Sequence, residues 1–121
     1  MTTMPRVYVA GKLSAPAVEF IKNIHRMMTA AERVRKAGFA VFVPGIDILL
    51  GMRFGDWEYE DYFQNSQPWL DAADAIFVVR NGATSSAGTQ REIARAEEAG
   101  IPVFTSLHAL KKWRDEGAIR L

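Results

Sequence analysis

Apolar positions along the 121-residue chain follow two alternating rhythms. Val7, Tyr8, Val9 and Ala10 form a short β-rich run that ends at Gly11 and reads as a buried first strand. Ser14 is suited to cap a following helix, and Pro16 is tolerated in its first turn. Val18, Ile21, Ile24, Met28, Ala31 and Val34 then recur at helical spacing and predict one apolar helix face. Gly38 follows as a left-handed stop. Phe39 to Val43 predicts a second strand, closed by Pro44 and Gly45. From Ile46 to Gln67 aromatics, acids and glycines mix without a sustained period, so a long loop with no more than a helical turn or two is expected. Trp69 to Ala73 reads as a short helix feeding a third strand, Ala75 to Val79. A polar loop, Asn81 to Ser86, leads to a helix from about Gly88 to Ala99 with Gly100 at its end. Ile101 to Phe104 is a fourth strand and Leu107 to Trp113 a final helix.

Strands separated by helices, without hairpin signals, imply right-handed crossovers and a parallel sheet. The expected architecture is a three-layer, flavodoxin- or Rossmann-like α/β fold with four or five parallel strands, in one domain spanning residues 1–121. In such sheets ligands bind beyond the carboxyl ends of the strands, where strand order reverses. The loops after Ala10, Val43 and Val79 should therefore converge on one site.

Composition narrows the chemistry. Apolar residues make up 49% and charged residues 24% of the chain, a globular balance that argues against a disordered tail. A net charge of +1 favours neither a nucleic acid polymer nor an anionic membrane, yet leaves a small anionic substrate open. The absence of cysteine excludes disulfides, a thiolate nucleophile and cysteine-ligated zinc, and fits a reducing cytosol. Met1 to Arg6 precede no apolar signal core, and Phe39–Val43 and Ala75–Val79 fall far short of the roughly 20 residues of a membrane span. A soluble, cytoplasmic protein is expected.

Ser85-Ser86-Ala87-Gly88-Thr89-Gln90-Arg91-Glu92 leaves a strand, passes small residues and enters a helix. Glycine there admits close approach to the backbone, and the free N–H groups of a helix start can hold a hydroxyl or phosphate. A carboxylate at Glu92, beside that cradle, is placed to attack an electrophilic carbon. Spacing alone leaves the plainer alternative open, that Ser86 only caps the helix and Glu92 is an exposed helix residue. His25 and His108 have no partners at metal-ligand spacing, and no dinucleotide, P-loop or serine-hydrolase glycine motif is present.

Several segments in order carry a family likeness. They are Tyr8-Val9-Ala10-Gly11, Ala37-Gly38-Phe39-Ala40-Val41-Phe42-Val43-Pro44, and Trp69-Leu70-Asp71-Ala72-Ala73-Asp74-Ala75-Ile76. Ser86-Ala87-Gly88, Glu92, Ala96, Gly100, Pro102 and Val103 complete the set. Over Val7 to Phe104 the chain resembles the nucleoside 2-deoxyribosyltransferase-like superfamily. That resemblance implies cleavage or transfer at the N-glycosidic bond of a (deoxy)nucleoside or its 5′-monophosphate. The glutamate matching Glu92 attacks C1′, a covalent glycosyl-enzyme forms, and a second base or water takes the sugar, as in a retaining glycosidase. By the same resemblance, residues matching Ser86 and Gly88 hold the sugar's 5′ end or its phosphate, and the tyrosine matching Tyr8 lies near the nucleophile, where its hydroxyl can orient the carboxylate.

One departure stands out. The hydrolase branch carries an aspartate three residues before the Trp-Leu pair, where this chain has Ser66. Asp71 and Asp74 lie nearby, and Asp47, Asp56 and Asp61 precede them, none at that spacing, so the general acid stays open. Glu92, Tyr8 and Asp71 are the candidate catalytic residues. Gly11, Asp47, Asp74, Ser86, Gly88 and Trp57 are candidate substrate-binding residues, and neither metal nor cofactor is expected. Phe54 to Phe63 packs aromatics among acids and reads as a lid whose rings stack on a nucleobase, against the alternative of core or interface packing.

Two other readings remain. The scaffold can serve as a non-catalytic nucleotide-binding module, and Gly88-Thr89-Gln90-Arg91-Glu92 also fits the Gly-Thr-x-x-Glu of the lysine-decarboxylase-like phosphoribohydrolases, although the paired glycines before it are missing. A homodimer or larger homo-oligomer is expected, with Arg120 or the terminal carboxylate reaching a neighbouring site by the same family analogy.

Overall fold

Residues 4–11, 17–80 and 87–117 are described by the computed structural model. Four strands, β1 (Arg6–Ala10), β2 (Ala40–Phe42), β3 (Ala75–Val78) and β4 (Val103–Phe104), form one sheet in the order β2-β1-β3-β4. Every pairing is parallel, with Tyr8 opposite both Phe42 and Ile76, and Ile76 opposite Val103. The helices are α1 (Ala17–Lys36), α2 (Ile48–Phe54), α3 (Tyr59–Asp71), α4 (Ala87–Glu98) and α5 (Leu107–Asp115), with a 3₁₀ turn at Pro44–Asp47 before α2. The three-layer parallel α/β fold expected from the sequence is therefore present, with four strands.

Alternation along β1 separates the two faces of the sheet. Tyr8 and Ala10 join Ile76, Val78, Leu70 and Ala96 in a core against α3 and α4. Val7 and Val9 point the other way, towards Val34 and Leu110 in one cluster and Met27 and Ala31 in another, beneath α1 and α5. Gly38 ends α1 with φ of 103°, the left-handed conformation expected of it.

The sequence misplaces two features. On α1 the buried stripe is Asn23, Met27, Ala31 and Val34, whereas Val18, Ile21 and Met28 are 67%, 56% and 50% exposed. Adjacent methionines make this phase ambiguous, because choosing Met28 over Met27 turns the apolar stripe by one residue, about 100°. The structure settles it by packing Met27 with Val9, Val43 and Val79.

The second concerns the stretch read as a long loop and lid. It is instead the 3₁₀ turn, α2 and α3, and the short helix read at Trp69–Ala73 is largely the last turn of α3. Asp61 Oδ2 accepts from the Glu58 N–H at 2.7 Å, fastening the start of α3. Pro68 lies inside the helix, where a proline normally signals a stop. The helix continues because its buried positions, Ser66 and Leu70, face the sheet core. Gly51 of α2 lets Tyr62 of α3 pack against its backbone, since an added Cβ there would lie 1.8 Å from the Tyr62 hydroxyl. Trp57 stacks at a tilt on Tyr62, with centroids 4.9 Å apart.

Candidate active site

Strand order reverses between β1 and β3, and the crossover after β3 delivers α4 to that point. On α4, Thr89 and Ala96 are buried and Ile93 packs against the core. Glu92 sits three residues after Thr89 and four before Ala96, so helical geometry puts it on the same inward stripe. An acid is thus carried to a position that an apolar residue would ordinarily occupy.

There it meets Tyr8, which is fully buried in the middle of β1. The Tyr8 hydroxyl donates a hydrogen bond to Glu92 Oε2. Burial pushes the Glu92 carboxyl up to about 7, and the Tyr8 hydrogen bond pulls against that rise. The Tyr8 hydroxyl itself is driven far above the ordinary tyrosine value, first by burial, then by the adjacent Glu92 charge and hydrogen bond. It therefore remains a proton-bearing donor at any working pH, and Glu92 is poised to titrate near neutrality.

Two further groups close around this pair. Ser66 of α3 is buried, donates from Oγ to the Phe63 carbonyl at 3.2 Å, and stands within hydrogen-bonding reach of the Tyr8 hydroxyl. Asp47, in the 3₁₀ turn after β2, is close enough for its charge to act on Tyr8. Asn65 Nδ2 donates to Asp47 Oδ2 at 3.4 Å, and burial raises the Asp47 carboxyl above its usual range. Phe42 stacks on Tyr8 with centroids 5.7 Å apart, and Trp69 on Phe42 at 5.3 Å, so an aromatic ladder runs from the pair to the surface.

The helices bearing Ser66 and Glu92 are clasped together outside the site. Arg91 pairs with Glu60 at 2.6 Å and lies over the Phe63 ring, 3.6 Å from its centroid. Arg95 holds both oxygens of Asp71, at 2.9 and 2.8 Å.

The candidate residues thus divide. Tyr8, Glu92 and Asp47 come together, with Ser66 at the position where the family likeness expects an aspartate. Gly88 is half-buried in the first turn of α4, one turn before Glu92. Gly11 follows β1, and a Cβ there would meet Met27 Cγ at 3.2 Å and Val79 Cβ at 3.3 Å, so tight packing under α1 already favours a glycine. Asp71 lies in the exposed clasp, its carboxyl held below the usual range by Arg95. Asp74 is at the amino end of the strands, where its Oδ2 accepts from the Arg6 N–H at 2.7 Å, away from the carboxyl ends that frame the site. Trp57 packs on Tyr62 between α2 and α3. Ser86 lies outside the described residues. His25 and His108 are exposed on α1 and α5, and no cluster of metal-ligating side chains occurs among the described residues. Asn65 was not foreseen, and nothing in its spacing marks it, since its partner Asp47 is 18 positions away.

Comparison with known proteins bears on the family and the fold. The family described as "Domain of unknown function (DUF4406)" matches residues 5–105. The chain belongs to that family. Among solved structures it is similar to a conserved protein from Enterococcus faecalis V583, at 21% identity and a TM-score of 0.67, over 84% of this chain. The chain spans 62% of that protein's length, and the likeness carries the fold alone. It is also similar to a 2-deoxyribosyltransferase from the psychrotolerant bacterium Bacillus psychrosaccharolyticus, at 28% identity and a TM-score of 0.58, over 81% of this chain and 69% of the other. No curated protein matches the chain. The likeness to nucleoside 2-deoxyribosyltransferase-like proteins read from the sequence therefore holds at the level of family and fold. Among the described residues, no helix is long and apolar enough to cross a membrane.

Proposed function

We propose that this DUF4406 chain cleaves or transfers the N-glycosidic bond of a (deoxy)nucleoside or its 5′-monophosphate, with Glu92 as nucleophile. The observation that carries the reading is the part-buried hydrogen bond from Tyr8 to Glu92 at the sheet's switch point. Similarity to a 2-deoxyribosyltransferase supports the substrate class. A Glu92 oxygen attacks C1′ of the sugar as the C1′–N bond breaks, and Tyr8 fixes which carboxylate oxygen is free to attack. The leaving base needs a proton at its nitrogen. Asp47 is the residue we assign to supply it, because burial keeps its carboxyl protonated to higher pH and it lies beside the pair. Water or a second base then attacks C1′, returns its proton to Asp47 and frees Glu92. Asp71, ionised in its clasp with Arg95, is better suited to holding α3 on α4 than to donating a proton.

Self-association belongs to the same proposal. Val18, Ile21 and Met28 expose an apolar strip of α1, which supports a homodimer, to be read from light scattering in solution. A cytoplasmic setting accords with the absence of cysteine.

The test is incubation with mixed nucleosides and their 5′-monophosphates, with and without a second free base, followed by chromatography beside Glu92→Gln. Free base from the native protein alone supports cleavage, and a new nucleoside makes it transfer. Release of ribose 5-phosphate from ribonucleotides only would favour the phosphoribohydrolase reading. Survival of every substrate, with a nucleotide still raising the melting temperature, would leave a non-catalytic binding module instead.

A further inference from the structure

On the opposite face of the sheet from Tyr8 and Glu92, a cleft of about 510 Å³ lies between α1, the carboxyl end of β3 and the start of α5. This size is in the range of roughly 300–1,000 Å³ typical of small-molecule sites. Its floor is apolar, formed by Phe77, Val79 and Leu107. Its rim carries three guanidinium groups, Arg26 and Arg33 from α1 and Arg80 after β3, with the hydroxyls of Thr29 and Thr105 between them.

Among the described residues no carboxylate lines the cleft, and none of these arginines is within ion-pair distance of one. Two of them bond to neutral groups, Arg26 donating to Asn23 Oδ1 at 3.0 Å and Arg80 to Thr105 Oγ1 at 3.2 Å. The remaining arginines of α4 and α5 do the reverse, Arg91, Arg95 and Arg114 each pairing with a carboxylate. In a chain of net charge +1, three such groups around one apolar floor are a local concentration rather than a general basicity.

We propose that this cleft is a second binding site, for a small molecule that carries a phosphate monoester on an apolar or aromatic body. The planar guanidinium forks match phosphate oxygens, and a dianionic phosphate offers three acceptors to the arginines and threonines, more than a carboxylate can. Phe77 and Leu107 receive the body. The site shares no side chain with the Tyr8–Glu92 pair, so it stands whether or not glycosidic chemistry does.

Phenyl phosphate is the probe, with phenol and sodium sulfate at matched ionic strength as controls, read by amide chemical shifts of the ¹⁵N-labelled protein. Saturable shifts centred on Thr29, Arg80 and Thr105 are expected, with phenol or sulfate alone giving far weaker ones. Arg33→Ala and Arg80→Ala should each weaken binding about tenfold, the loss of one charged hydrogen-bonding partner. Thr105→Val should give a smaller loss and covers the case in which an arginine variant alters folding. Shifts that do not saturate, that follow ionic strength alone, that centre on Tyr8 and Glu92, or that persist in the arginine variants would overturn the proposal. Tighter binding of a single-stranded oligonucleotide than of phenyl phosphate, lost in the same variants, would overturn it in favour of a nucleic acid surface.

Discussion

Replacing Glu92 by glutamine tests the chemistry of the site through the stability of the fold. The folded carboxyl is raised from an ordinary 4.5 to about 7, by burial. In the unfolded chain the same group releases its proton near the ordinary value. Between these two points the folded protein holds a proton that the unfolded chain has already lost, so stability falls as pH rises through the window. Below it both states are protonated and the group is silent. Above it both are ionised and the penalty is constant. At about 1.4 kcal/mol per pH unit, the shift amounts to on the order of 3 kcal/mol against the native fold. Glutamine keeps the shape, carries no charge and can still accept the Tyr8 hydrogen bond at its amide oxygen. Glu92→Gln should therefore nearly match the native protein at about pH 4, below the window, and exceed it by roughly 3 kcal/mol at about pH 8.5, a gap of about 10 °C in Tm for a domain of this size. Urea unfolding followed by tryptophan fluorescence at both pH values measures it directly. Native and variant proteins that keep the same difference at the two pH values would refute the reasoning, because Glu92 would then titrate alike folded and unfolded. The more stable variant should also be the inactive one, losing at least about 10³-fold in turnover if Glu92 is the nucleophile.

Tyr8→Phe removes the one influence that lowers the Glu92 carboxyl, so the acid limb of kcat/KM against pH should move to higher pH, with about a tenfold loss at neutrality. An unmoved limb would mean that Tyr8 does not act on Glu92. Asp47→Asn should cost about 10²- to 10³-fold with natural bases and far less with a leaving group that needs no proton, as compared in parallel steady-state assays. Gly51→Ala forces a methyl onto the Tyr62 hydroxyl and should cost about 1–3 kcal/mol by urea unfolding, relieved in part when Tyr62→Ala is added. Leu70→Ala empties a fully buried position between α3 and the sheet and should cost about 2–5 kcal/mol, measured in the same way.

What the sequence disclosed follows from how each element is held. Strands such as Val7–Ala10 and Ala75–Val78 are buried on both faces, so their composition alone marks them, and the parallel order follows from the helices between. The helices α2 and α3 were hidden because their reasons for existing are not periodic. Gly51 is needed for Tyr62, Asp61 for the Glu58 N–H, and Pro68 interrupts the pattern that Ser66 and Leu70 would otherwise show. The candidate site was legible in several of its members but not in how they meet. Glu92 stood out by motif, and Tyr8 and Asp47 were named beside it, yet that Tyr8 bonds to Glu92 while Ser66 and Asp47 act on Tyr8 follows only from the folded sheet.

A stripe reading of α4 alone would have flagged the same residue. Thr89, Glu92, Ile93 and Ala96 fall on one inward face, and an acid on such a face costs stability at neutral pH unless something pairs with it. Tyr8 pairs with it only by a neutral hydrogen bond, which limits the cost without removing it. A fold selected for stability alone would place a neutral side chain there. The retained penalty accords with the proposed role of Glu92, and it is the quantity that the pH dependence of Glu92→Gln reads.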